Sequence, residues 1–111
     1  MSEPDDGVSV DDQGRVIVVG DIDVVSAPLI EQAIRQAEDR RGESSRPLVM
    51  DVSKVRFIDS SGLRVLLAAS SRNLRAGRRV VLESPGATLT RLLEITGTGD
   101  MFVVEGPSAS A

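Results

Sequence analysis

Apolar residues run along this chain in two alternating rhythms. Arg15-Val16-Ile17-Val18-Val19-Gly20 is a β-branched run closed by glycine, which predicts a strand, and residues 8–10 predict a hairpin arm turning at Asp12-Gln13-Gly14. Ser26-Ala27-Pro28 then opens a helix, with Ser as the N-cap and Pro in the first turn. Its apolar stripe is Ile30, Ala33, Ile34 and Ala37, and Gly42 stops it after Arg40-Arg41. Residues 47–52 predict a second, central strand; a turn through Ser53-Lys54 leads to Val55-Arg56-Phe57-Ile58. A second helix is expected from Ser60 or Ser61 to about Ala76, ended by Gly77, with Leu63, Leu66, Leu67, Ser70 and Leu74 on its inner face. Residues 79–83 predict a strand and Ser84-Pro85 the start of a third helix, with Leu89, Leu92 and Leu93 inward and Gly97 past its end. Residues 101–104 predict the last strand.

Strands alternating with helices define an α/β class with mostly parallel pairing and right-handed crossovers. The periods place Val16, Val18, Ile30, Ile34, Leu48, Met50, Leu63, Leu67, Leu82, Leu89 and Leu93 in the core. Residues 1–7 and 106–111, rich in Ser, Pro, Gly, Ala and acid, are expected to be disordered tails flanking one domain over 8–105.

Composition narrows the chemistry. A chain of 111 residues can bury roughly 65% of its unfolded surface, so it needs neither disulfide nor metal to fold. It has no Cys and no His, which removes the thiol nucleophile, the thiolate metal site, the commonest general base and every Ser-His or Cys-His arrangement. Two Phe are the only aromatics, so stacking on a base or ring is nearly unavailable. A net charge of −4 without a basic block disfavours DNA and anionic membranes, and no apolar run approaches a membrane span. The acidic start is unlike a secretory signal, and a cytoplasmic location is expected.

Candidate chemistry concentrates in Asp59-Ser60-Ser61-Gly62, where a strand hands over to a helix. A helix start presents unpaired N–H groups and partial positive charge. Two uses are open there. Asp59 or Ser60 is a plain N-cap, with Gly62 allowing a close approach; or an exposed serine accepts a phosphate, adding about −1.5 to −2 charges beside Asp59. The residues by themselves do not choose Ser60 over Ser61. Arg64, Val65 and Ala68 are expected on the outer face of that helix, where a partner would feel the phosphate. Gly20-Asp21-Ile22-Asp23 closes the first strand with two acids that read as a solvated turn bonding local backbone; no further ligand cluster supports a metal there. Gly97-Thr98-Gly99 lacks the Gly-Lys-Ser/Thr ending of a phosphate loop, and the Ser60 segment lacks the Gly-x-Ser-x-Gly elbow of a hydrolase.

Phe57-Ile58-Asp59-Ser60-Ser61-Gly62-Leu63 closely resembles the signature of STAS domains, in particular of bacterial anti-sigma factor antagonists. Gly20-Asp21-Ile22-Asp23 is similar to their Gly-Glu-Leu/Ile-Asp turn, with Asp in place of Glu at residue 21. The order of elements matches over residues 8–105. The resemblance implies a STAS fold, a mixed, mostly parallel sheet of four to five strands packed against helices. It also implies a non-enzymatic switch: the unmodified chain binds an anti-sigma factor that is itself a serine kinase and so frees a sigma factor. Phosphorylation of Ser60 ends that binding, and a PP2C-type phosphatase resets it. Carried over by position, Ser60 is the phosphoacceptor, Asp59 and Gly62 shape its loop, and Asp21 and Asp23 lie in the adjoining recognition surface. Ser61, Arg64, Val65 and Ala68 complete the expected partner surface. The expected protein carries no cofactor or metal, binds no DNA or membrane, and is monomeric when free. The alternative is a STAS accessory subunit that docks in a transporter or signalling complex.

Overall fold

The hairpin at the start of the chain is set by one carboxylate. In the computed structural model, which describes residues 6–106, β1 (Gly7–Val10) and β2 (Val16–Ile22) pair antiparallel, Gly7 opposite Val19 and Val10 opposite Val16. The turn between them closes on Asp11, whose side chain accepts the N–H groups of Gln13 and Arg15 at 2.9 Å and the Arg15 Nε at 3.1 Å. Gly7 therefore belongs to the sheet and not to the expected tail; residues 1–5 and 107–111 of the two tails lie outside the described residues.

From β2 the chain enters α1 (Ala27–Arg41), β3 (Leu48–Ile58), α2 (Ser60–Arg75), β4 (Val80–Glu83), α3 (Ala87–Thr96), a 3-10 turn (Gly99–Met101) and β5 (Val103–Glu105). The sheet order is β1-β2-β3-β4-β5, with β2 to β5 parallel. This is the expected class, at the five-strand end of the range. All three helices contribute to one core: Ile30, Ala33, Ile34 and Ala37 from α1, Leu63, Leu66 and Ala69 from α2, Leu89 and Leu93 from α3. They meet Val16, Val18 and Ile22 of β2, Leu48, Met50, Val52 and Ile58 of β3, and Val80 and Leu82 of β4.

Four details differ from the reading of the sequence. The expected break at Ser53-Lys54 does not leave the sheet: β3 is one strand of 11 residues carrying two bulges against β2. Ser53 is held there by its N–H and hydroxyl, both donating to Asp51 Oδ1 at 3.0 and 2.7 Å. α3 starts at Ala87, not Ser84, because Ser84 takes φ +53° and donates its N–H to the Glu105 carbonyl at 2.7 Å. β5 starts at Val103, since Gly99–Met101 forms a 3-10 turn before it.

The fourth concerns the pitch of α2. Its buried stripe is Leu63, Leu66, Ala69, Ser70 and Asn73, while Leu67 is half-buried and Leu74 is 43% exposed. Asn73 takes the inward place because every polar atom of its side chain is bonded. Its amide donates to Glu38 Oε2 (2.6 Å) and to the Ala69 carbonyl (2.8 Å), and its own oxygen accepts from the buried Arg78 Nε (2.6 Å). Burial without those partners would cost several kcal/mol, roughly 2–7 by transfer scales.

The Asp11 turn makes stability depend on acid. The N–H of Arg15 foremost, then that of Gln13 and the Arg15 guanidinium, hold the Asp11 carboxyl below its ordinary value of 3.8. A depressed folded value means stabilisation that is present above pH 3.8 and lost as pH falls through the folded value. Thermal melts of wild type and Asp11→Asn should therefore differ at pH 6 and draw together as pH falls below 3.8. Parallel curves over that range would refute the role given to the carboxylate.

Candidate functional site

Two turns meet at the C-terminal end of β2 and β3. At the end of β2, the Asp23 carboxylate accepts the N–H groups of Val25 and Ser26, both at 3.0 Å. Ser26 does not cap α1 with its side chain; its hydroxyl turns back, donating to the Asp21 carbonyl at 2.8 Å and accepting the Asp23 N–H at 3.0 Å. Asp23 is thus spent on local backbone, and Asp21 is the acid left exposed. Arg56 lies beside Asp21 (3.7 Å) and also bonds Asp6. All three side chains are open to solvent, so these pairs are worth up to ~1 kcal/mol.

At the end of β3, Asp59 is extended (φ −108°, ψ −174°) and Ser60 begins α2. Asp59 is the cap: its Oδ1 accepts the Gly62 N–H at 3.0 Å. The choice left open between Asp59 and Ser60 is thereby settled at the structural level. Ser60 is exposed and its hydroxyl makes no hydrogen bond among the described residues; Ser61 is half-buried.

The two turns touch through backbone. Asp59 donates its N–H to the Ile22 carbonyl at 3.1 Å. Gly62 is buried over the same group: a β-carbon there would fall 2.5 Å from the Ile22 oxygen and 2.4 Å from its Cγ2. Only glycine lets α2 begin this close to β2. Asp21 and Asp23 on one turn and Asp59 and Ser60 on the other are thereby fixed side by side over the buried Ile22 and Gly62.

From Ser60 a shallow groove of about 370 Å³ runs along α2, lined also by Leu63, Arg64, Leu67, Ala68 and Ser71. Arg64 and Ala68 are exposed as expected, whereas Val65 is half-buried and packs against the core. Sequence reasoning assigned Leu67 to the core and so missed it as groove lining. It also missed the apolar skin around the neighbouring turn: Val24 (68% exposed), Val25, Leu29 and Phe57. The adjacent pair Val24-Val25 just past two acids was the available signal. Next to it, a cavity of about 360 Å³ between β1, β2 and the start of α1 is lined by Asp6, Asp21, Asp23, Val25 and Leu29 among others.

Comparison with known proteins identifies the family. Residues 9–111 match the STAS domain family, and the chain belongs to it. Its relatives are more particular. It is 34% identical over 95 residues to the anti-sigma-B factor antagonist of Bacillus subtilis, covering 85% of this chain and 83% of that protein. It is 31% identical over 106 residues to the anti-sigma-F factor antagonist RsfB of Mycobacterium tuberculosis, covering 92% and 84%. Among solved structures, an anti-sigma factor antagonist from Mycobacterium paratuberculosis superposes with a TM-score of 0.63 at 33% identity, covering 87% of this chain and 80% of that one. The unphosphorylated form of the antagonist SpoIIAA gives 0.64 over 93% and 89%, and at 17% identity it speaks for the fold alone.

The Gly62 contact should be intolerant of a single methyl group. Gly62→Ala is expected to lower unfolding free energy by about 3 kcal/mol, since backbone stands in the way, and Asp59→Ala by about 1 kcal/mol through the lost cap. Urea denaturation followed by circular dichroism measures both. An alanine as stable as wild type at residue 62 would contradict the close approach.

Proposed function

We propose that the chain is an anti-sigma factor antagonist, a binding module without catalytic activity of its own, switched by phosphorylation of Ser60. The observation that carries this reading is that Ser60 is exposed at the first residue of α2 while Asp59 performs the capping. The hydroxyl is thus free for a kinase, and a phosphate on it need not cost the helix its cap. Similarity to relatives named as anti-sigma factor antagonists supports the partner class.

In the proposed cycle the unmodified chain binds an anti-sigma factor with serine kinase activity through the Ser60 groove and the Asp21 turn. The Ser60 oxygen attacks the γ-phosphorus of ATP, loses its proton and displaces ADP. The product carries about two negative charges where the partner had matched a neutral hydroxyl. Like charges near 4 Å at a protein surface cost on the order of a few kcal/mol, and each ~1.4 kcal/mol is tenfold in affinity. A PP2C-type phosphatase would return the hydroxyl by hydrolysis.

Intact-mass measurement after incubation with ATP and the cognate anti-sigma factor should show one added phosphate in wild type and none in Ser60→Ala. A phosphate that persists in Ser60→Ala moves the acceptor elsewhere. Ser60→Asp should weaken binding to the anti-sigma factor by about tenfold or more, measured by calorimetry; equal affinity would remove the charge mechanism.

A further inference from the structure

Helix α2 contains no acid. Between Ser60 and Arg75 it carries Arg64, Arg72 and Arg75 and not one Asp or Glu. Arg72 is committed to α1, its Nε 2.9 Å from Glu38 and its Nη2 3.3 Å from Glu31. Arg64 is exposed and forms none of the ion pairs found among the described residues. The positions one helical turn away from it are Ser60, Ser61, Leu67 and Ala68, none of them acidic. Ser60 and Arg64 also line the same groove, and Arg64 is the one charged residue in that lining.

We propose that Arg64 is the internal counter-ion of the phosphorylated chain, closing over a phosphate on Ser60 as an ion pair one helical turn long. The proposal rests on the reading of Ser60 as acceptor. An anion four residues before a cation is the favourable order on a helix. The guanidinium fork matches two phosphate oxygens, which a point charge does not. No carboxylate at helical spacing competes for it. Phosphorylation then changes the groove twice: it adds a dianion and withdraws the cation that an acidic partner group would have met. An aspartate at residue 60 is shorter and carries a single charge, so it mimics the first change better than the second.

The test uses the full chain with phosphoserine installed at residue 60 during translation, so that no kinase is involved. The ³¹P resonance is followed through the second ionisation of the phosphate at low salt. The midpoint in wild type should lie about half a pH unit below that of Arg64→Gln, with Arg64→Lys between them. The difference should collapse near 1 M salt, where screening acts over about 3 Å. Coincident midpoints in wild type and Arg64→Gln at low salt overturn the proposal. Should Arg64→Gln not fold, Arg64→Ala takes its place, and a midpoint coincident with wild type at low salt overturns the proposal equally. Because the phosphate is installed directly, such a result leaves the identity of the acceptor untouched, while a failed kinase reaction would strike the acceptor and not the ion pair.

Discussion

The first turn of α2 rests on the backbone of β2, and the rest of the site depends on that contact. Side chains ordinarily hold a helix off the sheet it packs on. Here Gly62 removes the side chain, and the Ile22 carbonyl receives the Asp59 N–H directly. Ile22 is fully buried, so this carbonyl has little access to water and needs that donor. Asp21 and Asp23 flank it in sequence, which ties their turn to the Ser60 turn with almost no slack. A motif that reads as two separate signatures is physically one joint.

The joint requires β3 to arrive in the right phase. From the pair Ile17–Asp51 to the pair Ile22–Ile58, β2 advances five residues and β3 seven. One bulge would turn every later side chain of β3 to the wrong face. Two restore the parity, so Ile58 points into the core beside Ile22 and Asp59 emerges beside the Ile22 carbonyl. The intervening residues Ser53, Lys54, Arg56 and Phe57 are exposed. The polar pair Ser53-Lys54 reads as a turn because a bulged strand and a short loop share the same loss of alternation.

Much of the architecture was legible from periodicity, and the failures have specific causes. Strands β2 and β4 and helix α1 announce themselves through β-branched runs and a regular apolar stripe. Periodicity finds α2 but turns its inner face toward Leu74, because Leu74 is apolar and Asn73 is not. The deciding fact, that Glu38, Ala69 and Arg78 satisfy Asn73, is tertiary and cannot be read from a window of residues. The site showed the same division. Asp59, Ser60 and Gly62 stood out as a strand-to-helix handover, yet which of Asp59 and Ser60 capped was settled only by where the Asp59 carboxylate lies. Val65, expected outside, and Leu67, expected inside, are both half-buried against the core for the same rotational reason.

The two ends of α2 are built on opposite terms, and this bears on how a modification would be read. At its far end, about 20 Å from Ser60 by helix rise, Arg72, Asn73, Glu38 and Arg78 lock α2 to α1 and to the carbonyls of Gly42 and Ser44. Ser70 adds a hydrogen bond to the Met101 carbonyl. At the near end the backbone is equally fixed by Gly62 and the Asp59 cap, but the Ser60 side chain takes no part in fixing it. A group added there meets no structural bond that it must break. On the proposed reading, a phosphate on Ser60 would therefore act through surface charge and the cation that answers it, not through refolding.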